Sequence, residues 1–228
     1  MPVEFVGALA ARNQLLGPAG GGQNLDLDFL RDLARAHENA GFDRVLMLAG
    51  GEAIVATGFA ASHTEKLGFM IPFRPGPTTP LQAAKSLAAL DHVTGGRIRV
   101  HAITGITAEP GLGDFLTDKD ERYARSSEYL DVLRRAWTSD EPFDHDGKYY
   151  QLKNVFTPIK PLQQPHIPVS FGGSSDAAYH VAARHCDLYA LWAEPLEDVK
   201  QQIGKLHAAA AAIGKPAPRV SLSVRLII

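Results

Sequence analysis

The chain has 228 residues, of which 45% are hydrophobic, so it is long enough to bury its core as a single domain over residues 1–228. Its formal net charge of −2 provides no long-range attraction to nucleic acid or to an anionic membrane, and no segment approaches the roughly 20 apolar residues of a membrane helix. The single cysteine, Cys186, excludes an intrachain disulfide framework. The N-terminal residues contain neither the basic region nor the long apolar region of a secretion signal. We therefore expect a soluble cytoplasmic protein.

The first half of the chain alternates strand patterns with helical ones. In chain order, the patterns predict a strand over residues 3–9, a helix over 26–40, a strand over 44–48, a helix over 52–63, a strand over 67–71, a helix over 81–93 and a strand over 97–104. A long segment containing glycine and proline follows at 105–117. Irregular segments of this length are more typical of functional loops than of simple connections.

The second half continues the alternation. The patterns predict a helix over 122–138 capped by Asp118 or Asp120, a hairpin over 143–150 that turns at Asp146 and Gly147, a short strand from Ile167 into Gly172, a helical run over 177–183, a strand over 187–192, a helix over 196–213 and a strand over 219–228.

Seven strands separated by helices imply parallel pairing through right-handed crossovers. This leaves two α/β architectures, an open doubly wound sheet or a (β/α)8 TIM barrel. We favour the barrel, with about seven strands and without the last βα unit. Its first and seventh strands would then be unpaired edges, which either a partner chain covers or a longer version of the chain would fill.

The most informative motif is Gly172-Gly173-Ser174-Ser175-Asp176, between a short strand and a helical run. Glycines let the backbone approach a ligand closely, and a helix start offers free N–H donors and the positive end of a dipole. These features are typical of a phosphate-binding loop. The alternative is an ordinary strand–helix turn with a serine at the N-cap.

Five segments together resemble the bacterial luciferase-like flavin monooxygenases, especially their alkanesulfonate and dimethyl-sulfone monooxygenase branch. They are residues 89–97 (ALDHVTGGR), 104–105 (TG), 118–123 (DKDERY), 171–175 (FGGSS) and 187–192 (DLYALW). The resemblance implies a (β/α)8 barrel that binds reduced FMN at its C-terminal face. It also implies molecular oxygen as co-substrate, a peroxyflavin as the oxidant, and a separate NAD(P)H:FMN reductase that supplies FMNH2.

The resemblance assigns cofactor-binding roles to Gly173, Ser174 and Ser175 at the flavin phosphate, with Tyr123 as a further phosphate contact. The alternative for Tyr123 is a partly buried aromatic residue near a helix start. For Arg122 we expect a solvated ion pair with Glu121 or Asp118 rather than a phosphate contact.

Thr104 is expected to line the flavin from the end of the fourth strand, or else to cap its own turn. His101 corresponds to a polar residue near the flavin in the resembled family and is a candidate catalytic residue, although lone histidines are more often structural. Arg225 lies on the polar face of the last strand, where a guanidinium suits a sulfonate or carboxylate; the alternative is an edge arginine at a fraying terminus.

The sequence therefore predicts an FMNH2-dependent monooxygenase that oxidises a small organosulfur compound, such as an alkanesulfonate, with cleavage of its C–S bond. Two alternatives remain: a truncated flavin-binding relative without catalysis, and an F420-dependent oxidoreductase of the same superfamily. We expect a homo-oligomer. We expect no metal site, because the histidines lack the spacing of metal ligands.

Overall fold

The computed structural model describes residues 3–11, 25–48, 53–105 and 107–224. These residues form two compact units. The first contains the described residues of Met1–Pro72, Ser86–Val100 and Ile159–Ile167, and the second those of Phe73–Lys85, His101–Pro158 and Pro168–Ile228. The expectation of a single domain stays a prediction.

Nine strands and six α-helices are present in the described part of the chain. The strands are β1 (Val6–Leu9), β2 (Arg44–Met47), β3 (Gly68–Phe73), β4 (Ile98–Ala102), β5 (Phe143–Asp146), β6 (Gln151–Val155), β7 (Val169–Gly172), β8 (Leu188–Trp192) and β9 (Arg219–Ser223). The helices are α1 (Leu27–Asn39), α2 (Ala53–Ala61), α3 (Pro80–Val93), α4 (Lys119–Thr138), α5 (Asp176–His185) and α6 (Leu196–Ala212).

The sheet runs in chain order. In the first unit its order is β1-β2-β3-β4, and in the second unit β4 continues to β7, β8 and β9. The pairs β1/β2, β2/β3, β7/β8 and β8/β9 are parallel. Strands β5 and β6 form a separate antiparallel hairpin. The predicted α/β class, the alternation of strands with helices and the seven sheet strands are confirmed.

Several boundaries differ from the sequence prediction for local reasons. Strand β4 ends at Ala102, two residues before Thr104, although the Ile103 amide still donates to the Phe73 carbonyl at 2.9 Å. Helix α4 begins at Lys119, three residues earlier than expected, because the Asp118 side chain caps it by accepting from the Glu121 amide at 2.8 Å. The end of the predicted last strand, 225–228, lies outside the described residues.

The long segment between β4 and α4 is fixed by one buried carboxylate. Asp114, which is 1% exposed, accepts two hydrogen bonds from Arg125, at 2.8 and 2.9 Å, and one from Arg74 at 3.0 Å. Arg74 also donates to Glu109 and to the Thr107 carbonyl of the same segment. Charge-assisted, bidentate contacts of this kind are the strong ones, so they connect the end of β3, the segment and α4.

Gly105 fits against the same cluster. A Cβ atom at this position would lie 2.4 Å from Arg74 Cζ, so the backbone approaches the guanidinium more closely than a side chain permits. Its φ of +76° is also in the left-handed region that favours glycine. Both features favour glycine at the point where the chain leaves β4.

The C-terminal end of α5 is capped by two cationic side chains. Lys215 donates to the Arg184 carbonyl at 2.7 Å, and Arg134 of α4 donates to the His185 carbonyl. Both carbonyls belong to the last turn of α5, where helix carbonyls lack partners within the helix. These contacts attach α5 to α4 and to the residues that follow α6.

No helix in the described ranges has both the length and the apolar character required to cross a membrane.

The Asp114 cluster leads to a stability prediction. We expect Asp114→Asn to lower the free energy of unfolding by about 3 kcal/mol, because it leaves the buried guanidinium of Arg125 without its counter-charge, while Arg74 keeps Glu109. Urea denaturation at pH 7 measures this change. Glu197→Gln is the control, because it removes the carboxylate of an exposed pair with Lys200 and should leave the midpoint unchanged.

The stability difference between wild type and Asp114→Asn should also depend on pH. Hydrogen bonds from Arg125 lower the pKa of Asp114 to about 2, against an ordinary value of 3.8. Its stabilising contribution is therefore complete above pH 3.8 and is lost as the pH falls through about 2. The difference between wild type and Asp114→Asn should shrink over that window; a constant difference would contradict the assignment.

Candidate functional site

The connection from β7 to α5 consists of three residues, Gly173, Ser174 and Ser175, which we call the 173–175 loop. The Ser175 side chain is the N-cap of α5 and accepts from the Ala178 amide at 3.3 Å. Ser174 is exposed, and among the described residues its amide and hydroxyl have no hydrogen-bond partner. The predicted strand–loop–helix context is confirmed, and the loop presents free donors.

Gly173 is the point of closest approach in this loop. A Cβ atom there would lie 2.7 Å from the Ala178 side chain and 3.2 Å from the Tyr123 hydroxyl. The first distance is shorter than Cβ contacts permit, so any side chain at this position would displace the loop from α5. Glycine therefore lets the backbone lie directly against the first turn of the helix.

Tyr123 reaches the same loop from α4. Its ring is buried against Phe171 of β7, with ring centroids 6.0 Å apart, and the residue is only 7% exposed. Its hydroxyl lies at Gly173 and has no hydrogen-bond partner in the described part of the chain. The structure thus brings Tyr123 and the 173–175 loop together, while the role of Tyr123 as a phosphate contact stays a prediction.

The expectation for Arg122 is wrong. This residue is 3% exposed, and its guanidinium donates to the carbonyls of Leu116 and Thr117, at 3.2 and 2.5 Å, rather than forming a solvated ion pair. The carbonyls belong to residues that immediately precede α4. Arg122 therefore links the first turn of α4 to the residues that precede the helix.

His101 lies on β4 and pairs with Ser170, a residue that no sequence motif marks as functional. Its Nδ1 atom is 3.0 Å from the hydroxyl oxygen of Ser170, on the neighbouring strand β7. Its Cε1 atom would lie 3.8 Å from a Cβ at Gly172. Burial lowers the pKa of His101 to about 4, so the imidazole is neutral near pH 7. The neutral imidazole holds one proton on a ring nitrogen and offers the other ring nitrogen as a hydrogen-bond acceptor.

The alternation of side chains along β7 explains why the contact between His101 and Ser170 was not predicted. Phe171 faces Tyr123 of α4, so its neighbours Ser170 and Gly172 face the opposite side of the sheet, together with His101. A serine inside a short apolar strand carries no signal of its own. Only the strand order, which places β7 beside β4, reveals the contact.

The remaining predicted site residues stand apart from these contacts. Thr104 is buried two residues beyond the end of β4, and no described contact joins it to the 173–175 loop. Arg225 lies outside the described residues. Their roles at a flavin and at an anionic substrate stay predictions.

A groove of about 690 Å³ follows the outer surfaces of α4, α5 and α6 within the second unit. Tyr123 and Ala177 line it near the 173–175 loop, and Arg134, Arg184 and Lys215 line it near the C-terminal end of α5. The three cations are already engaged, with two helix carbonyls and with Asp131. The groove therefore extends well beyond the loop.

Comparison with known proteins agrees with this arrangement. The model of the luciferase-like monooxygenase family matches residues 3–228, nearly the entire chain. The chain belongs to the luciferase-like monooxygenase family. Membership identifies a family of flavin-dependent oxidoreductases and confirms the coarse part of the resemblance.

Solved structures show the same fold. The riboflavin lyase RcaE matches with a TM-score of 0.86 at 19% identity, over 98% of this chain and 62% of RcaE. The EDTA monooxygenase EmoA from Chelativorans sp. BNC1 matches with a TM-score of 0.85 at 20% identity, over 97% of this chain and 61% of EmoA. An F420-dependent secondary alcohol dehydrogenase matches with a TM-score of 0.82 at 21% identity, over 97% of this chain and 68% of that enzyme. The chain thus spans less than two thirds of RcaE and EmoA and has the barrel-type fold of this family.

The neutrality of His101 can be measured directly. We expect its imidazole to titrate near pH 4 rather than at the ordinary value of 6.5, because burial disfavours the charged form. Nitrogen chemical shifts of the imidazole, assigned with His101→Gln, report the midpoint. Since the unfolded chain binds this proton more readily, His101 should lower the stability of the fold as the pH falls from 6.5 to 4. Titration near 6.5 would contradict the buried pairing with Ser170.

Proposed function

We propose that this luciferase-like protein binds FMN, with the flavin phosphate on the 173–175 loop. The observation that carries the proposal is the conjunction of three features at the end of β7. They are the close backbone approach at Gly173, the unpaired donors of Ser174, and the unpaired Tyr123 hydroxyl beside them. The first turn of α5 adds the positive end of a helix dipole.

The acidic side chains at the starts of α4 and α5 do not bind the loop donors. The acidic residue of this turn, Asp176, is exposed, and its carboxylate lies 3.9 Å from Lys205 of α6. Asp120, at the start of α4, is also exposed and leaves the loop donors unpaired. A phosphate would therefore meet N–H and O–H donors at the loop, and backbone donors at a helix start suit phosphate oxygens.

The neighbouring residues suit a flavin ring beyond the phosphate. When bound, reduced FMN supplies the electrons that activate molecular oxygen. His101 and Ser170 lie on the side of the sheet opposite to the Tyr123–Phe171 contact, and their hydrogen bond fixes the imidazole orientation. A neutral His101 would hold or move a proton at Nε2, and Thr104 would line the same strand end.

For the substrate we propose a small organosulfur compound, such as an alkanesulfonate, oxidised with cleavage of its C–S bond. The support is the resemblance to the alkanesulfonate branch in residues 89–97, 104–105 and 118–123. Arg225 would orient the anionic group of the substrate. A separate NAD(P)H:FMN reductase would supply reduced flavin, and we propose a homo-oligomeric assembly in the cytoplasm.

A second candidate is hydride transfer with F420. The similarity to the F420-dependent secondary alcohol dehydrogenase favours it, because that fold match is as extensive as those to monooxygenases. The third possibility is flavin binding without catalysis, in which the 173–175 loop would hold the flavin phosphate and no substrate would be oxidised.

One experiment separates these three functions. The purified protein is titrated with FMN, reduced FMN and F420, and the reduced complex is then exposed to oxygen in the presence of an alkanesulfonate. Sulfite release supports the monooxygenase, and tight FMN binding without turnover supports the binding protein. Preference for F420 with oxygen-independent hydride transfer supports the second candidate. Failure to bind any flavin would contradict all three.

The two serines of the loop should differ in their effects. We expect Ser174→Ala to weaken FMN binding roughly five- to tenfold without changing stability, because its hydroxyl has no partner within the described protein. Ser175→Ala should weaken binding and also lower the free energy of unfolding by about 1 kcal/mol, since it removes the N-cap of α5. Flavin fluorescence quenching and urea denaturation measure the two quantities. Unchanged FMN affinity in both variants would contradict the proposal that the 173–175 loop binds the phosphate.

A further inference from the structure

The 173–175 loop is held by a residue of a different strand, Tyr189 of β8. Tyr189 is fully buried and lies in register with Phe171 of β7. Its hydroxyl donates a hydrogen bond of 2.7 Å to the carbonyl oxygen of Gly173. Burial raises the pKa of Tyr189, so the hydroxyl keeps its proton and remains a donor.

This hydrogen bond constrains more than one atom, because the Gly173 carbonyl and the Ser174 amide belong to the same peptide plane. The only cis bond among the described residues is Gln164–Pro165, so the Gly173–Ser174 peptide is trans. In a trans peptide the C=O and N–H bonds point in opposite directions. Holding the carbonyl toward Tyr189 therefore directs the Ser174 N–H away from the buried ring.

Glycine makes this anchoring necessary. Gly173 has no side chain to restrict its peptide, and glycine explores more backbone conformations than any other residue. Without the hydrogen bond, the peptide could rotate and turn the Ser174 amide out of line with the N–H groups at the start of α5. The packing of Tyr179 of α5 against Tyr189, with ring centroids 5.6 Å apart, keeps the anchoring ring in place.

We infer that Tyr189 is a positioning residue of the flavin site: by holding the Gly173 carbonyl, it aims the Ser174 N–H at the phosphate. The inference rests on the proposed function, since it assumes that the 173–175 loop binds the FMN phosphate. It adds a residue to which neither the sequence motif nor the resemblance assigned a role. Tyr189 acts through the loop and does not itself touch the cofactor.

The test uses a pair of ligands that differ only at the phosphate. Riboflavin has the ring and side chain of FMN without the phosphate, so a loop that positions a phosphate donor affects FMN alone. The variant is Tyr189→Phe, which keeps the buried ring and removes the hydroxyl. Tyr179→Phe is the matched control. It also removes one hydroxyl from a buried tyrosine, next to Tyr189, but this hydroxyl has no described hydrogen bond to the loop.

We expect Tyr189→Phe to raise the Kd for FMN about tenfold and to leave the Kd for riboflavin within about twofold of wild type. Tyr179→Phe should change neither. Thermal unfolding of each variant confirms that it is folded at the temperature of the titration. Should Tyr189→Phe not fold, Gly173→Ala displaces the same peptide from the loop side, because its Cβ would lie 2.7 Å from Ala178. It should show the same FMN-specific loss.

The outcomes separate the inference from the function on which it rests. If wild type binds FMN no better than riboflavin, the phosphate site of the proposed function is contradicted, and the inference with it. If wild type prefers FMN and Tyr189→Phe retains that preference, the inference alone is overturned. Equal weakening of FMN and riboflavin would also overturn it, since that pattern indicates a general packing role for Tyr189.

Discussion

Parallel pairing of β4, β7 and β8 is the constraint on which the candidate site depends. Parallel strands present their C-terminal ends at one edge of the sheet, which is where barrel enzymes bind their ligands. The loop that follows β7 lies at this edge and is held by Tyr189 of β8, while His101 near the end of β4 contacts Ser170 of β7 on the other side of the sheet. Because β7 alternates its side chains, it contributes Phe171 to one side and Ser170 to the other.

Helix α4 adds the second part of the support. Tyr123 and Arg125 are two residues apart in its first turns, so they leave the helix in different directions. Arg125 is held by the buried carboxylate of Asp114, and Tyr123 packs on Phe171. The ion pair therefore fixes the rotation of the helix that presents the Tyr123 hydroxyl to the 173–175 loop. The long irregular segment and the helix that carries Tyr123 are thus held by the same ion pair.

The sequence predicted what depends on short-range patterns. The alternation of strands and helices, the hairpin and the serine N-cap at Ser175 were all accessible, because apolar periodicity and capping are local. The burial of Arg122 was not, because its partners are the backbone carbonyls of an irregular segment, which carry no residue-type signal.

The contacts of Ser170 and Tyr189 were inaccessible for a different reason. Both residues lie within strands whose composition predicts only a buried sheet, and both contacts join positions that are distant in the sequence. The motif itself located the loop but not the groups that orient it. The candidate loop could thus be named from the sequence, while its contacts with other strands required the strand order and register.

The capping of α5 by Arg134 and Lys215 has an electrostatic consequence at the other end of the helix. Ten residues span about 15 Å, so the negative partial charge at the C-terminus of a short helix cancels part of the positive field at its N-terminus. Here two cations neutralise that negative end through the Arg184 and His185 carbonyls. Toward an anion at the 173–175 loop, α5 therefore behaves more like an isolated positive charge than like a dipole.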